Sequence, residues 1–245
     1  MSMADTNNTG LSVRPLNVST WPAFADLVER DGGIWGGCWC IGFHLDPSLP
    51  KSSGQLRPHR GAKERLVKEG RAHAALVFEG ERAVGWSQFG PTSELPNIKH
   101  RKEYEKGLGP SDPVLSSPSQ IQGPNPGPDL PPQPLPHFPP ERKTREGLPD
   151  WRITCFYVGK GYRKRGVANL ALAGALSEIA RLGGGLVEAY PENVEGRKTS
   201  SSFLYGGTLK MFEREGFTRD RPLGMYHWVV RKMVAQGPTD LAAGP

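Results

Sequence analysis

The sequence predicts a mixed α/β (α+β) sheet domain, and three observations carry that reading. Strand-like and helix-like stretches alternate along the chain once a proline-rich stretch is set aside. Two apolar-rich runs joined by Gly80-Glu81 read as a hairpin, so the sheet begins antiparallel. Later a strand, a long apolar helix and a second strand follow in that order, which implies a right-handed crossover and a parallel pair.

Taken in order, Leu11-Ser12-Val13-Arg14-Pro15 alternates like a strand, and Ser19 or Thr20 caps a helix running to about Arg30. A second helix fits His59 to Glu69, stopped by Gly70. Ala72 to Glu79 and Arg82 to Phe89 form the hairpin. Between Pro110 and Pro140 fall 12 of the 24 prolines, with no apolar periodicity. Fixed φ and missing N–H donors exclude helix and central strand there. Residues 110–145 therefore read as a flexible insert, polyproline II or disordered. Its Pro131-Pro132-Gln133-Pro134 has the P-x-x-P spacing that an SH3-type groove accepts, and composition alone favours a plain spacer. Trp151 to Val158, rich in β-branched and aromatic residues, reads as a buried strand. The helix from about Gly166 to Leu182 is apolar on most sides early and ends at Gly183-Gly184-Gly185. Leu186 to Tyr190 is the next strand, Phe203 to Glu215 a helix stopped by Gly216, and Tyr226 to Val234 a last strand. Residues 1–10 and 236–245 read as disordered tails of one domain over 11–235.

The chain has 245 residues with 31 Lys+Arg against 25 Asp+Glu, a net charge of +6. That balance favours phosphate-bearing partners, but no dense Lys/Arg stripe with interleaved aromatics points to nucleic acid. No stretch approaches the roughly 18 apolar residues of a membrane helix. Even Val167 to Leu176 is interrupted by Asn169. Met1 to Gly10 has neither an apolar signal core nor an Arg-rich transit face, so a cytoplasmic protein is expected. Cys38, Cys40 and Cys155 are an odd, sparse set that argues for reduced thiols over a disulfide framework. Cys38, Cys40 and His44 would give three zinc ligands where a structural site takes four, so no metal is expected.

The informative segment is the turn from Gly159 to Ala168, where glycines and the run Arg163, Lys164, Arg165 meet a helix N-terminus. Free amides of the first turn and the positive end of the helix dipole make an anion site there. Gly166 and Ala168 leave the backbone open to close approach. A glycine turn with solvated basic residues is the plainer alternative. The segment is not a P-loop, because no Ser or Thr follows Lys160, and G-x-G-x-x-G is absent.

Phe156-Tyr157-Val158 followed by Arg163-x-x-Gly166-x-Ala168 resembles the acetyl-CoA motif of the GNAT superfamily of N-acetyltransferases. In that family a strand ending in h-x-V is followed by R/Q-x-x-G-x-G/A at the start of a helix. Met211 to Phe217 is similar to the family's second motif, an aromatic-E-K/R-x-G-F ending to the helix after the fifth strand. The two stand in the family's order, and the likeness spans about Leu11 to Val234 apart from the insert. Trp35-Gly36-Gly37-Cys38-Trp39-Cys40 beside such a core is similar to a bacterial subset of the superfamily.

The resemblance implies a mostly antiparallel sheet with a central, splayed parallel strand pair and helices on both faces. It implies that the backbone of Phe156 and Val158 pairs with the pantetheine arm of acetyl-CoA, the co-substrate. Amides from Arg163 through Gly166 and Val167 to Ala168 would cradle the pyrophosphate, with Arg163, Lys164 and Arg165 as the cations beside it. An unprotonated amine would then attack the thioester directly, with a backbone amide near Val158 facing the oxyanion. Where many members carry a Tyr that protonates the leaving thiolate, this chain has Phe212. Tyr190 and Tyr205 are the nearest alternatives, or else packing residues. One branch of the family places a Glu base six residues before the strand Val, where Arg152 stands here. Glu188 remains, on the same strand face as Tyr190, either as a base through water or as an ammonium anchor.

The expectation is therefore an N-acetyltransferase acting on a primary amine of a small molecule or protein. It has no nucleic-acid or membrane partner, and a homodimer is allowed. The alternative is a catalytically weak CoA-binding or adaptor module that uses the proline-rich segment.

Overall fold

Alternating apolar residues draw seven strands into one sheet in the computed structural model, which describes residues 10–31, 38–44, 56–98, 100–107 and 148–238. The elements are β1 (Leu11–Pro15), α1 (Trp21–Asp31), α2 (Leu56–Lys68), β2 (His73–Glu79), β3 (Arg82–Pro91) and α3 (Arg101–Lys106). They continue with β4 (Trp151–Val158), α4 (Val167–Arg181), β5 (Gly185–Ala189), α5 (Leu209–Arg214), β6 (Thr218–Leu223) and β7 (His227–Val234). Short 3-10 turns stand at Ile41–Phe43, Lys160–Tyr162 and Ser201–Gly206. The insert at 110–145, Trp35 to Gly37 and most of both predicted tails lie outside the described residues.

Strand order is β1-β2-β3-β4-β5-β7-β6, and every neighbouring pair is antiparallel except β4 with β5. That parallel ladder covers only Trp151↔Val187, Arg152↔Glu188 and Ile153↔Ala189. β4 stays paired with β3 as far as Val158, so from Thr154 onward its other edge has no β5 partner. The central parallel pair is thus splayed. Sequence dictates where: β5 ends at Ala189 and the chain turns out through Pro191, which has no N–H to extend a ladder.

Helices cover both faces. Phe24, Leu27 and Val28 of α1 pack with Trp39 and Trp86 on one side, the Phe24 and Trp86 rings 4.9 Å apart. Ala171, Leu172, Ala175 and Ile179 of α4 pack on the other with Val77, Ile153 and Val187. Full burial of one such Leu, Val or Phe contributes about 1.5–3 kcal/mol relative to exposure. Gln88 pairs with Cys155 while Phe89 pairs with Ile153, so Thr154 is an extra residue in β4. This bulge reverses the alternation: Ile153 and Phe156 face α4, and Cys155 and Tyr157 face α1.

Three local readings change. The turn before α1 is held by the side chain of Asn17, whose Oδ1 accepts from the amides of Ser19 (2.9 Å) and Thr20 (3.1 Å). Thr20 Oγ1 instead donates to the Pro15 carbonyl at 2.8 Å. The helix expected over Phe203 to Glu215 is split into a 3-10 turn and α5, because Gly207 takes φ 78°, outside the helical region. β6 and α3 were not expected, and each shows mostly charged residues to solvent.

Candidate functional site

The β4–α4 turn is built by pinning its base and leaving its crest open. The Gly159 amide donates to Val84 O (2.9 Å), and Tyr162 N to Gly159 O (2.9 Å), forming the 3-10 turn. Tyr162 Oη donates to Glu79 Oε2 at 2.7 Å, and Arg165 Nη2 pairs with Glu79 Oε1 at 2.7 Å. These bonds hold the Glu79 carboxyl below the usual carboxylate range, the Tyr162 bond first and the Arg165 bond second. Gly166 sits before α4 at φ 77°, and the first helical bond runs from Leu170 N to Gly166 O (3.0 Å). The amides of Val167, Ala168 and Asn169 therefore precede the intrahelical ladder. A Cβ built on Gly166 meets nothing within 4 Å. Arg163, Lys164, Arg165 and Gly166 are exposed, and Lys164 is left-handed at φ 62°. Left-handed residues at Lys164 and Gly166 on either side of Arg165 turn successive N–H groups toward one side, a backbone shape of the kind that anions are bound by elsewhere. Phe156 and Val158 lie on the stretch of β4 that has no β5 partner, immediately before this turn.

Glu188 has no solvent exposure and both its oxygens are engaged: Tyr190 Oη donates to Oε1 at 2.6 Å, and Arg231 Nε to Oε2 at 3.0 Å. Burial, then the Glu188 charge, pushes the Tyr190 phenol well above its ordinary range. Opposite in the ladder, Arg152 is buried and donates to Leu95 O at 2.8 Å, with its guanidinium 5.6 Å from the Tyr104 ring centre. Tyr205, on the 3-10 turn against β4, is half-buried near Phe43. Burial pushes its phenol up to about 12, with the charges of Cys155 and Glu192 adding to the effect. Tyr205 is thus packed on the α1 face of the sheet, on the side to which Cys155 of β4 also points. Phe212 is wholly buried, its ring 5.9 Å from Phe156 and 5.0 Å from Phe217.

Sequence reasoning missed a buried polar cluster on the α1 and α2 side. Lys63 of α2 is 1% exposed, with its Nζ 3.3 Å from His44 Nε2 and 3.4 Å from Gln88 Oε1. Burial lowers the Lys63 ammonium from its ordinary value, and burial followed by the Lys63 charge lowers His44 to about 2. Cys40 Sγ lies 2.9 Å from Cys155 Sγ, and hydrogen bonding and burial push the Cys40 thiol up. Among the described residues no group of three or more His, Cys, Asp or Glu is placed to hold a metal. No helix of the described residues is long and apolar enough to cross a membrane. A second omission is Glu192 with Arg197, in the loop after β5; an acidic residue followed five positions later by Arg is too common a pattern to flag.

No protein-family model matches this chain, and no curated protein matches it. Solved structures with a similar course include a GNAT-family acetyltransferase from Streptococcus pneumoniae, 10% identical, covering 92% of this chain and 99% of that one at a TM-score of 0.44. Another is the ribosomal-protein-S5-alanine acetyltransferase from Vibrio fischeri, 11% identical over 94% and 96% of the two chains, at 0.43. RimL, a ribosomal L7/L12 alpha-N-protein acetyltransferase in complex with coenzyme A, is 14% identical over 94% and 97%, at 0.42. With scores at this level, function rests on the chain's own geometry and motifs.

Proposed function

We propose that this chain is an acetyl-CoA-dependent N-acetyltransferase of the GNAT superfamily, acting on a primary amine of a small molecule or protein. One observation carries the reading: the strand that loses its parallel partner after Ile153 runs directly into the anion-binding turn before α4. An extended thioester arm fits beside Phe156 and Val158 as an added strand, main chain to main chain. A diphosphate fits the amides of Val167 to Asn169, where Gly166 presents no Cβ and leaves open space. Arg163, Lys164 and Arg165 supply cations beside it, Arg165 already tethered by Glu79.

Bound acetyl-CoA would supply an activated thioester carbonyl. The amine nitrogen forms the new C–N bond and gives up one proton, and the C–S bond breaks with its electron pair leaving on sulfur. An amide near Val158 faces the oxygen on which charge develops. Tyr190 has its proton committed to Glu188, and Phe212 has none to give, so Tyr205 is the acid we assign to the departing sulfur. Glu188, with each oxygen already bonded to Tyr190 or Arg231, holds the end of β5, and the amine's proton passes to solvent water.

The test is Gly166→Glu, with Gly166→Ala as control. Both variants share the strain of φ 77°, but only Glu adds bulk and a like charge at the diphosphate. Titration calorimetry should show acetyl-CoA affinity falling roughly hundredfold or more for Glu, about 2.8 kcal/mol. The Ala variant should fall far less. Equal affinity in a folded Gly166→Glu protein would remove the turn from cofactor binding.

A further inference from the structure

The acetyl transfer proposed above uses none of the three cysteines, yet their sulfurs form a continuous row. Cys40 stands in the middle: its Sγ is 2.9 Å from Cys155 Sγ, and its thiol is hydrogen-bonded to that of Cys38 as well. The Cys40 amide also donates to Cys38 Sγ at 3.4 Å, and Trp86 Nε1 donates to Cys40 Sγ at 3.4 Å. The chain builds this row against its own backbone preference. Trp39 and Cys40 are both left-handed, at φ 54° and 51°, a conformation that L residues with a Cβ hold only where packing fixes them. Here Trp39 packs against Trp21 and Phe24, with ring centres 5.7 and 6.0 Å away. Cys40 and Cys155 are each 2% exposed, and Cys38 alone of the three keeps appreciable exposure. The Lys63 charge acts to lower Cys38 and Cys40, but hydrogen bonding to the neighbouring thiol and burial outweigh it and hold both above their ordinary range. Such thiols form little thiolate, but a thiolate of high pKa is the stronger nucleophile, and each one here already has the next sulfur in contact.

We infer that the three cysteines are a site of reversible oxidation by small disulfides, in which Cys38 takes up the oxidant and Cys40 and Cys155 end as the disulfide. The Cys38 sulfur gives up its proton and attacks one sulfur of the small disulfide, whose S–S bond breaks with its electron pair and a proton leaving on the other half. Cys40 then attacks the Cys38 sulfur and expels the second half as a thiol. Cys155 attacks Cys40 in turn, and Cys38 is returned as a thiol. Two cysteines have lost two electrons and two protons, and the small disulfide has taken them up as two thiols. The last bond, about 2.05 Å long, requires Cys40 and Cys155 to close by under ~1 Å from their present contact. It ties the segment that carries Phe43 and His44 to β4, one residue before Phe156. This site stands on the thiols alone and is independent of the transferase reading.

The experiment incubates the full chain with millimolar oxidised glutathione for several hours, alkylates it in denaturant and maps every sulfur by peptide mass spectrometry. Thiol exchange in proteins takes seconds to hours, so that time is enough. The expected product is a Cys40–Cys155 cross-linked peptide with Cys38 alkylated, and dithiothreitol should return all three cysteines to thiols. Cys38→Ser should slow formation of that disulfide by roughly tenfold or more, because the two sulfurs left are the enclosed ones. Cys155→Ser should stop the reaction at a Cys38–Cys40 bond or a glutathione adduct. Three free thiols after the treatment, a product that ends at glutathione on Cys38, or a Cys38→Ser chain that oxidises at the parent rate would each overturn the proposal. So would the same pairing in a urea-unfolded sample, since the row of sulfurs exists only in the folded chain. Should a variant fail to fold, the products mapped on the unaltered chain, folded against unfolded, decide alone.

Discussion

At the scale of single residues, the acid role separates two aromatic side chains that the sequence leaves open. Phe212 is wholly enclosed by Phe156 and Phe217, so a hydroxyl added there would have to find a partner inside a dry core. Phe212→Tyr should therefore leave the rate almost unchanged and cost about 1–3 kcal/mol of stability. Tyr205→Phe should lower kcat by tenfold or more with little change in KM, since a positioned acid contributes about 10²–10⁴-fold. With its phenol pushed up to about 12, Tyr205 stays protonated across the neutral range, so the parent enzyme should show no alkaline loss of kcat from this group until pH nears 12. Equal kcat for the Phe variant in a thiol-release assay would return Tyr205 to the packing residues. Glu188 divides differently. Glu188→Gln removes a charge that Arg231 and Tyr190 both use, and should lower stability by about 1–3 kcal/mol by thermal melting. A drop in kcat/KM with pH rescue and an unchanged melting temperature would instead restore it as the base. Sequence could name Glu188 and Tyr190 as sharing a face, because the two-residue period does so. It could not show that they bond to each other, since the third member, Arg231, comes from a strand forty-three positions on.

At the scale of elements, what was legible and what was not follows from burial. β1, β4 and α4 came out within a residue or two of their bounds, because their apolar residues recur at strand or helix spacing and Pro or Gly marks their ends. β6 was missed because it is an edge strand whose Thr218, Arg219 and Asp220 all face solvent, so it carries no alternation. The bulge at Thr154 was invisible for another reason: an extra residue in one strand is set by its partner's register, which the strand's own sequence does not encode. The contact between α2 and β3 is the least legible, because it buries Lys63 and His44 together. His44 is lowered to about 2 in the folded chain, whereas an unfolded His titrates near 6.5. Between those values the unfolded state binds a proton that the folded state refuses, so stability falls as pH drops below about 6.5. The slope reaches at most about 1.4 kcal/mol per pH unit from this one group. Lys63, also lowered, adds the same sign below the ordinary lysine range. A His44→Gln variant should lose less stability than the parent between pH 7.5 and pH 5 in denaturant melts. Parallel curves would mean that His44 takes up its proton in place.

At the scale of the whole molecule, residues 110–145 join two parts of the domain that are already tied together without them. Thr92, just past the end of β3, is bonded across to the entry of β4: its amide donates to Asp150 O at 3.0 Å and its hydroxyl to Pro149 O at 2.6 Å. Asp150 in turn accepts from Leu186 N at 2.7 Å, so the entry to β4 is clamped between β3 and β5. Strand β4 then runs antiparallel along β3 over nearly its whole length. The energy that closes the chain here comes from those ladders and from the core on both faces, and loop-closure entropy changes by only about 0.6 kcal/mol for each doubling of loop length. Replacing 110–145 with about ten Gly and Ser residues should therefore leave the melting temperature within a few degrees of the parent, since 1 kcal/mol moves a domain of this size by about 2–4 °C. Acetyl-CoA affinity should be unchanged as well, because the β4–α4 turn is held by Val84 of β3 and Glu79 of β2. A loss of many degrees would mean that the proline-rich segment is part of the folded core. Retained melting and cofactor binding with lost turnover would give the segment a part in the reaction that neither folding nor cofactor binding needs.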